Sequence, residues 1–333
     1  MKKRLMLSVY SISHFFVDFC CAYIMFNLVK PQGDWLSAML LYNFCAFALQ
    51  MPLGIIADRF NKSYIFALFG CVFICVGVIL NIGMLCPVII GVGNALFHIG
   101  AGEDVMTNFE TCTPLGIFVS PGAIGLYLGT VFHSTTDPRL LCTVIMIFCA
   151  GTICVFCRNT DHMKEEYIEE PKTGASKIIA AICLFIVVVI RSFAGMSFSF
   201  PWKTGVLALC VVAAVVLGKM LGGVCYDMIG GRLTTVISLS LSAVCLLFSN
   251  HPALGIAGVL LFNFTMPITL YELAKRFPDK KGFAFGMLTF ALFVGFLPVL
   301  FGSGSINGVV SAILSLVSLA LLIPFTGGNK NGA

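Results

Sequence analysis

Of the 333 residues, 59% are apolar and only 11% are charged, whereas about 25% are charged in an ordinary soluble domain. A helical membrane span takes ~20 mostly apolar residues, and the apolar runs fill nearly the whole chain, so no soluble catalytic domain fits and no enzyme is expected. The formal charge of +5 sits in the loops and gives no reason to expect a nucleic-acid partner.

The chain reads as an all-α integral membrane protein with about twelve spans. The first, 4–29, follows the basic start MKKR and stays apolar to Val29, too long for the apolar region of a signal peptide. It carries His14 and Asp18, one turn apart on one face. The second, 35–57, ends in MPLGIIADRFNK, with Gly54, Asp58, Arg59 and Lys62. The third is 63–82. The fourth, 85–106, repeats the four-residue spacing with Asn94 and His98 and closes on Glu103 and Asp104. The fifth, 113–132, is rich in small residues (Gly116, Pro121, Gly122, Gly125, Gly129), and the sixth is 138–157.

A polar stretch, Arg158–Lys177, then separates two runs of six spans. The seventh span, 177–200, contains Arg191, roughly 21 Å along a helix from Lys177 and so near mid-bilayer. The eighth, 204–226, ends in LGKMLGGVCYDMIGGR, with Gly218, Lys219, Gly222, Gly223, Asp227, Gly230 and Arg232. Spans nine to twelve are 233–249, 252–274, 282–302 and 306–325. The tenth carries Asn263 and Thr265 in its middle and Glu272 near its end, three and four residues before Lys275 and Arg276. The fifteen cysteines lie almost wholly inside spans, where a free thiol behaves as a small apolar group. A disulfide or metal framework is not expected.

Two copies of Gly-x-x-x-Asp, Gly54/Asp58 and Gly223/Asp227, each end an apolar span and lie 169 residues apart. The same offset maps Asn94 onto Asn263. An aspartate at a helix C-terminus faces the negative end of the dipole, so it needs a cation or the N-terminus of another helix.

At these residues the chain resembles a major facilitator superfamily transporter, at the loop between the second and third helices of each six-helix half. The second copy fits better; the first departs after Arg59, where Phe60-Asn61 replaces the usual glycine-containing basic turn. Within the superfamily three stretches look like the fosmidomycin-resistance type of bacterial efflux transporter: Ser13–Asp18, Gly91–His98 and Leu273–Gly286. The resemblance implies an N-terminal six-helix bundle over 1–157, a cytoplasmic linker over 158–176 and a C-terminal bundle over 177–333. It also implies alternating access around a midplane substrate path lined by the first and fourth helices of each half.

Those are the helices that carry His14, Asp18, Asn94, His98, Arg191 and Asn263, found independently as polar groups whose insertion is costly: a charge at a helix centre costs about 2.5–3.5 kcal/mol. They are read as substrate-binding and proton-coupling residues. Gly54, Asp58, Arg59, Gly218, Lys219, Gly223, Asp227 and Arg232 are read as the gating motif. Competing structural readings are mutual neutralisation of Asp18 and Arg191, a helix-end ion pair for Glu272, a snorkelling Lys219, and Lys219 or Arg232 as partners of Glu103 and Asp104. A metal held by His14, Asp18, His98 and Glu103 is conceivable, but no ligand spacing demands one, and none is expected.

With the N-terminus inside, every lysine and arginine except Lys30, Arg139, Lys203 and Arg191 falls on the cytoplasmic side, which orients both termini to the cytoplasm. The resulting expectation is a monomeric plasma-membrane secondary transporter. It uses the proton gradient and no cofactor, its partners are a small-molecule substrate and membrane lipid, and it exports a small organic, drug-like or anionic compound. Proton-coupled uptake of a small anion or nutrient is the first alternative, and a non-transporting membrane sensor or partner subunit the second.

Overall fold

The computed structural model describes residues 2–60, 62–133, 137–158 and 174–327. Most of the 158–176 linker therefore lies outside the described residues, as do Asn61 of the first basic turn and Lys330.

Twelve helices follow one another: α1 (Lys2–Gln32), α2 (Trp35–Ala57), α3 (Ser63–Leu80), α4 (Leu85–Asn108), α5 (Thr113–Val131), α6 (Pro138–Phe156), α7 (Ser176–Ser197), α8 (Gly205–Ile229), α9 (Gly231–Leu247), α10 (Pro252–Arg276), α11 (Lys281–Leu300) and α12 (Gly308–Phe325). Eleven are long and apolar enough to cross a membrane; α9, the ninth expected span, is apolar but only 17 residues long. Among the described residues there is no strand, only a single bridge between Phe198 and Ile306. Lipid leaves a backbone no outside hydrogen-bond partner, and helices satisfy it internally.

Several helices are locally irregular. α1 and α2 each widen through one π-type turn, at Met25–Val29 and Phe44–Ala48. α5 breaks at Ser120, ahead of Pro121, which has no backbone N–H to give. α10 is interrupted at Asn263–Phe264.

The helices sort into two compact units. The first comprises Met1–Glu110, Pro121–Lys164 and Asp279–Phe293. α3 and α4 pack most closely there: Gly70 faces the backbone of Gly93 and Phe97, and Gly100 faces Ser63 and Ala67. Small residues at such crossings let backbones approach where lipid provides no hydrophobic drive. The second half of α5 lies on α1 in the same manner, with Gly125 against the Phe15 carbonyl and Gly129 against that of Phe19.

The second unit comprises Thr111–Ser120, Glu165–Pro278 and Val294–Ala333. Here α9 packs on α12 and presents buried Ser238 and Ser242, while α12 presents Ser311, Ser315 and Ser318. An apolar cluster of Phe200, Val211, Ala214, Leu246 and Val259 ties α8, α9 and α10 together. By this division the starts of α5 and α11 group with helices of the other run of six: 111–120 with the later helices and 279–293 with the earlier ones.

Candidate functional site

The first unit gathers four of the sequence-derived polar residues into one cluster. α1 and α4 pack against each other, and each offers its pair from the middle of the helix, Asp18 and His14 from α1, His98 and Asn94 from α4. His14 Nε2 and His98 Nε2 stand 2.9 Å apart. His14 Nε2 lies 3.2 Å from Asp18 Oδ2, and His98 Nε2 lies 3.7 Å from Asp18 Oδ1. Asn94 Nδ2 donates to Asp18 Oδ1 at 3.2 Å. Both imidazoles are buried, whereas the Asp18 side chain keeps 21% of its surface open.

One further contact fixes the protons. His98 Nδ1 is 2.9 Å from the Asn94 carbonyl, which can only accept, so Nδ1 carries hydrogen and neutral His98 turns a bare Nε2 toward His14. The proton between the two imidazoles then sits on His14 Nε2, with His98 Nε2 and Asp18 Oδ2 both within reach. Gly122 of α5 makes room for this arrangement, since a methyl group there would collide with His14 Nε2 and Asp18 Oδ2.

The gating residues divide between the units. Asp58, just past α2, accepts from the backbone amides of Gly282 (2.7 Å) and Phe283 (2.9 Å) in the first turn of α11. Asp227, in the last turn of α8, accepts from the amides of Cys112 (2.9 Å) and Thr113 (2.8 Å) and from the Thr113 hydroxyl (2.5 Å) at the start of α5. Of the two partners open from sequence, each aspartate has taken a helix N-terminus. The Asp58 carboxyl is held above the ordinary aspartate range, because burial penalises its charge more than the Phe283 and Gly282 amides and nearby Lys280 favour it. Gly54 brings α2 onto the Gly282 backbone, Gly223 brings α8 onto Cys112, and Gly218 brings α8 onto the Leu260 carbonyl. Arg59 and Arg232 are exposed.

Other residues depart from the sequence reading. Lys219 does not simply snorkel, because its Nζ donates to the Val119 carbonyl at 3.3 Å, where α5 is about to break. Asp104 accepts the Tyr10 hydroxyl at 2.6 Å. Glu103 is buried, with Oε2 lacking a hydrogen-bond partner among the described residues. Glu272 does pair with Arg276, at 2.6 Å, and also receives the Tyr226 hydroxyl. Arg276 continues to the Phe325 carbonyl at 2.8 Å.

Arg191 is buried in the second unit, and its Nη1 has no hydrogen-bond partner among the described residues. It lies in the C-terminal half of α7, six residues before the helix stops at Ser197. Among the described residues Asn263 joins no polar cluster; at the break in α10 its Nδ2 donates back to the Val259 carbonyl at 2.8 Å. Sequence reasoning missed Tyr10 and Cys21. A buried tyrosine hydroxyl must find an acceptor, which was a usable signal for Tyr10. Cys21, one position beyond Cys20 in an apolar run, gave none, although its Sγ shares the Asn94 amide at 3.7 Å.

No family model matches the sequence, and no curated protein matches it. Solved structures do match. A major facilitator superfamily transporter, FucP, in the outward conformation, superposes with a TM-score of 0.70 at 11% identity, over 99% of this chain and 100% of that one. A variant of the E. coli fucose:proton symporter FucP gives 0.66 at 13% identity, over 99% and 100% of the two chains. The human organic anion transporter MFSD10 (TETRAN) gives 0.68 at 11% identity, over 96% and 99%.

The chain has the major facilitator fold. At these identities the likeness concerns architecture alone. It accounts for the recurrence of the aspartate cap 169 residues on, since the major facilitator fold is built from two related six-helix halves.

Proposed function

We propose that the protein is a secondary transporter that moves a small organic anion across the plasma membrane by alternating access, coupled to protons. The observation that carries this reading is the convergence of His14, Asp18, Asn94 and His98 at the middle of two packed helices. A group of this polarity is expensive in a membrane and marks a transport path by default. The hydrogen-bond geometry gives one proton a place among three acceptors, which is what a coupling site needs.

Buried Arg191, with a guanidinium N–H to spare, supports an anionic substrate, since its fork suits carboxylate or phosphonate groups. The organic anion transporter among the structural neighbours points the same way. Export is the preferred direction on the likeness of Ser13–Asp18, Gly91–His98 and Leu273–Gly286 to the fosmidomycin-resistance type. Proton-coupled uptake is the second reading, favoured by the fucose:proton symporter among the neighbours.

The working topology keeps both termini cytoplasmic, six-helix bundles over 1–157 and 177–333 and a tether over 158–176, in a monomer without a cofactor. The purified chain is to be screened with carboxylates and phosphonates for ligand-dependent thermal stabilisation, and hits tested for counterflow of labelled compound in proteoliposomes. Stabilisation with counterflow supports the transporter reading. Stabilisation without counterflow favours a sensor, and counterflow of neutral compounds alone removes the anion.

A further inference from the structure

Three ligand-type side chains of the cluster do more than share a proton. His14, Asp18 and His98 each offer a ligand atom, and the three atoms lie within 4.8 Å of one another. From the separations given above, we infer that His14 Nε2, His98 Nε2 and an Asp18 carboxylate oxygen form a binding site for a divalent first-row transition-metal ion. This goes beyond the transport reading, because it concerns equilibrium binding to the resting protein and holds whatever the protein carries.

The distances are those of a ligand set. A tetrahedral ion at ~2.0–2.1 Å from nitrogen and ~2.0–2.2 Å from oxygen spaces its ligand atoms ~3.3 Å apart. The observed separations, 2.9 Å between the two Nε2 atoms, 3.2 Å from His14 Nε2 to Asp18 Oδ2 and 3.7 Å from His98 Nε2 to Asp18 Oδ1, straddle that value, with the two nitrogens approaching different oxygens of the one carboxylate. Metal entry requires loss of the proton on His14 Nε2 and a turn of the Asp18 carboxylate that brings one oxygen toward both nitrogens.

The surroundings also fit. A ligating histidine characteristically donates its other ring N–H to a carbonyl or carboxylate, which fixes ring and tautomer, and His98 does so to the Asn94 carbonyl. Asn94 Nδ2 holds Asp18 through its Oδ1, while Asn94 Oδ1 is buried without a hydrogen-bond partner among the described residues. The partly open Asp18 edge leaves a fourth position for water or an anionic ligand. Two imidazoles and one carboxylate select zinc, cobalt or iron(II) over calcium and magnesium, which take oxygen ligands. Glu103, the fourth ligand conceivable from sequence, is not in this group.

The test uses the full-length protein in detergent, titrated with Co²⁺ alone. The expected result is saturable binding of one ion per chain, with visible d–d bands and no near-ultraviolet thiolate charge-transfer band. His14→Gln and His98→Gln should each abolish saturation. Asp18→Asn should weaken binding by more than the ~10–100-fold that loss of an outer hydrogen-bond partner costs. Because these variants could misfold, X-ray absorption at the cobalt edge of the wild-type protein gives a second reading: a nitrogen and oxygen shell with two imidazoles supports the site. No saturable binding in the wild type, a sulfur shell from the many cysteines, or bands that persist in His14→Gln/His98→Gln would each overturn it.

Discussion

Asp58 reaches across 224 residues of sequence to accept the Gly282 amide at 2.7 Å, closing the first turn of α11. The first four N–H groups of a helix have no partner within it, and a carboxylate there both accepts hydrogen bonds and meets the positive end of the dipole. Asp227 does the same for α5. The first copy fits the family pattern less well after Arg59, yet both aspartates accept two backbone amides, and Asp227 takes the Thr113 hydroxyl besides. Asp58→Ala and Asp227→Ala should therefore each destabilise the protein by about 1–2 kcal/mol, read as thermal unfolding in detergent. Asn at either position keeps an acceptor and should cost less, about 0.3–1 kcal/mol for the lost charge. A silent Asp58→Ala beside a damaging Asp227→Ala would restore the unequal reading.

Gly122 gives a second prediction. A methyl there meets His14 Nε2 and Asp18 Oδ2, whereas a methyl at Gly151, also on a spanning helix, meets nothing within 4 Å. Gly122→Ala should abolish gradient-driven accumulation of substrate in proteoliposomes, with the protein still monodisperse, and Gly151→Ala should leave transport unchanged. Normal accumulation by Gly122→Ala would mean that the His14–Asp18–His98 geometry is not needed for coupling.

The positions of the costly residues were legible in the sequence, but their partners only in part. Insertion cost singled out His14, Asp18, Asn94 and His98 one by one, and the four-residue spacings put each pair on one helix face. That the two faces meet depends on the close α1–α4 packing, which no local signal encodes. The length of the apolar runs alone located all twelve helices. The breaks at Ser120 and Asn263–Phe264 were harder to see: Pro121 marked one, while Asn263 looked like an ordinary polar residue in a span. For Asp104 only charge was weighed, and the Tyr10 hydroxyl that it accepts was overlooked.

Arg191 tests the substrate class. A hydrogen bond to a charged group is worth ~1.5–3 kcal/mol, so Arg191→Ala should weaken binding of a carboxylate or phosphonate ligand by about ten- to a hundredfold. Arg191→Lys keeps the charge but loses the planar fork and should rescue only part of that affinity. Isothermal titration of both variants with a ligand found by the stabilisation screen provides the measurement. Unchanged affinity in Arg191→Ala would exclude the arginine from the anion site.

Orientation can be checked by labelling single cysteines in a cysteine-depleted background with an impermeant thiol reagent on intact cells. Gly33 and His251 are exposed ends on the face assigned to the outside, and Arg59 and Asp279 are exposed on the face assigned to the cytoplasm. Cysteines at the first two should label and at the second two should not. The reverse pattern would invert the topology.

The coupling prediction turns on Asp18. Transport against a gradient requires a group that holds a cation in one facing state and releases it in the other, and Asp18 is the carboxylate in the middle of the cluster, bonded to His14 and Asn94 and open along one edge. Asparagine is nearly isosteric and can still accept a hydrogen bond from His14, but it carries no charge to balance a bound cation. Asp18→Asn should therefore lose accumulation driven by an imposed pH gradient while retaining exchange at equal concentrations, where no net cation movement is needed. His98→Gln should reproduce this split, since it removes the bare Nε2 that faces His14. Loss of both activities in both variants would make the cluster a substrate site. If both variants still concentrate substrate, the coupled cation is held elsewhere, and the buried Glu103, with its unpaired Oε2, becomes the next residue to substitute.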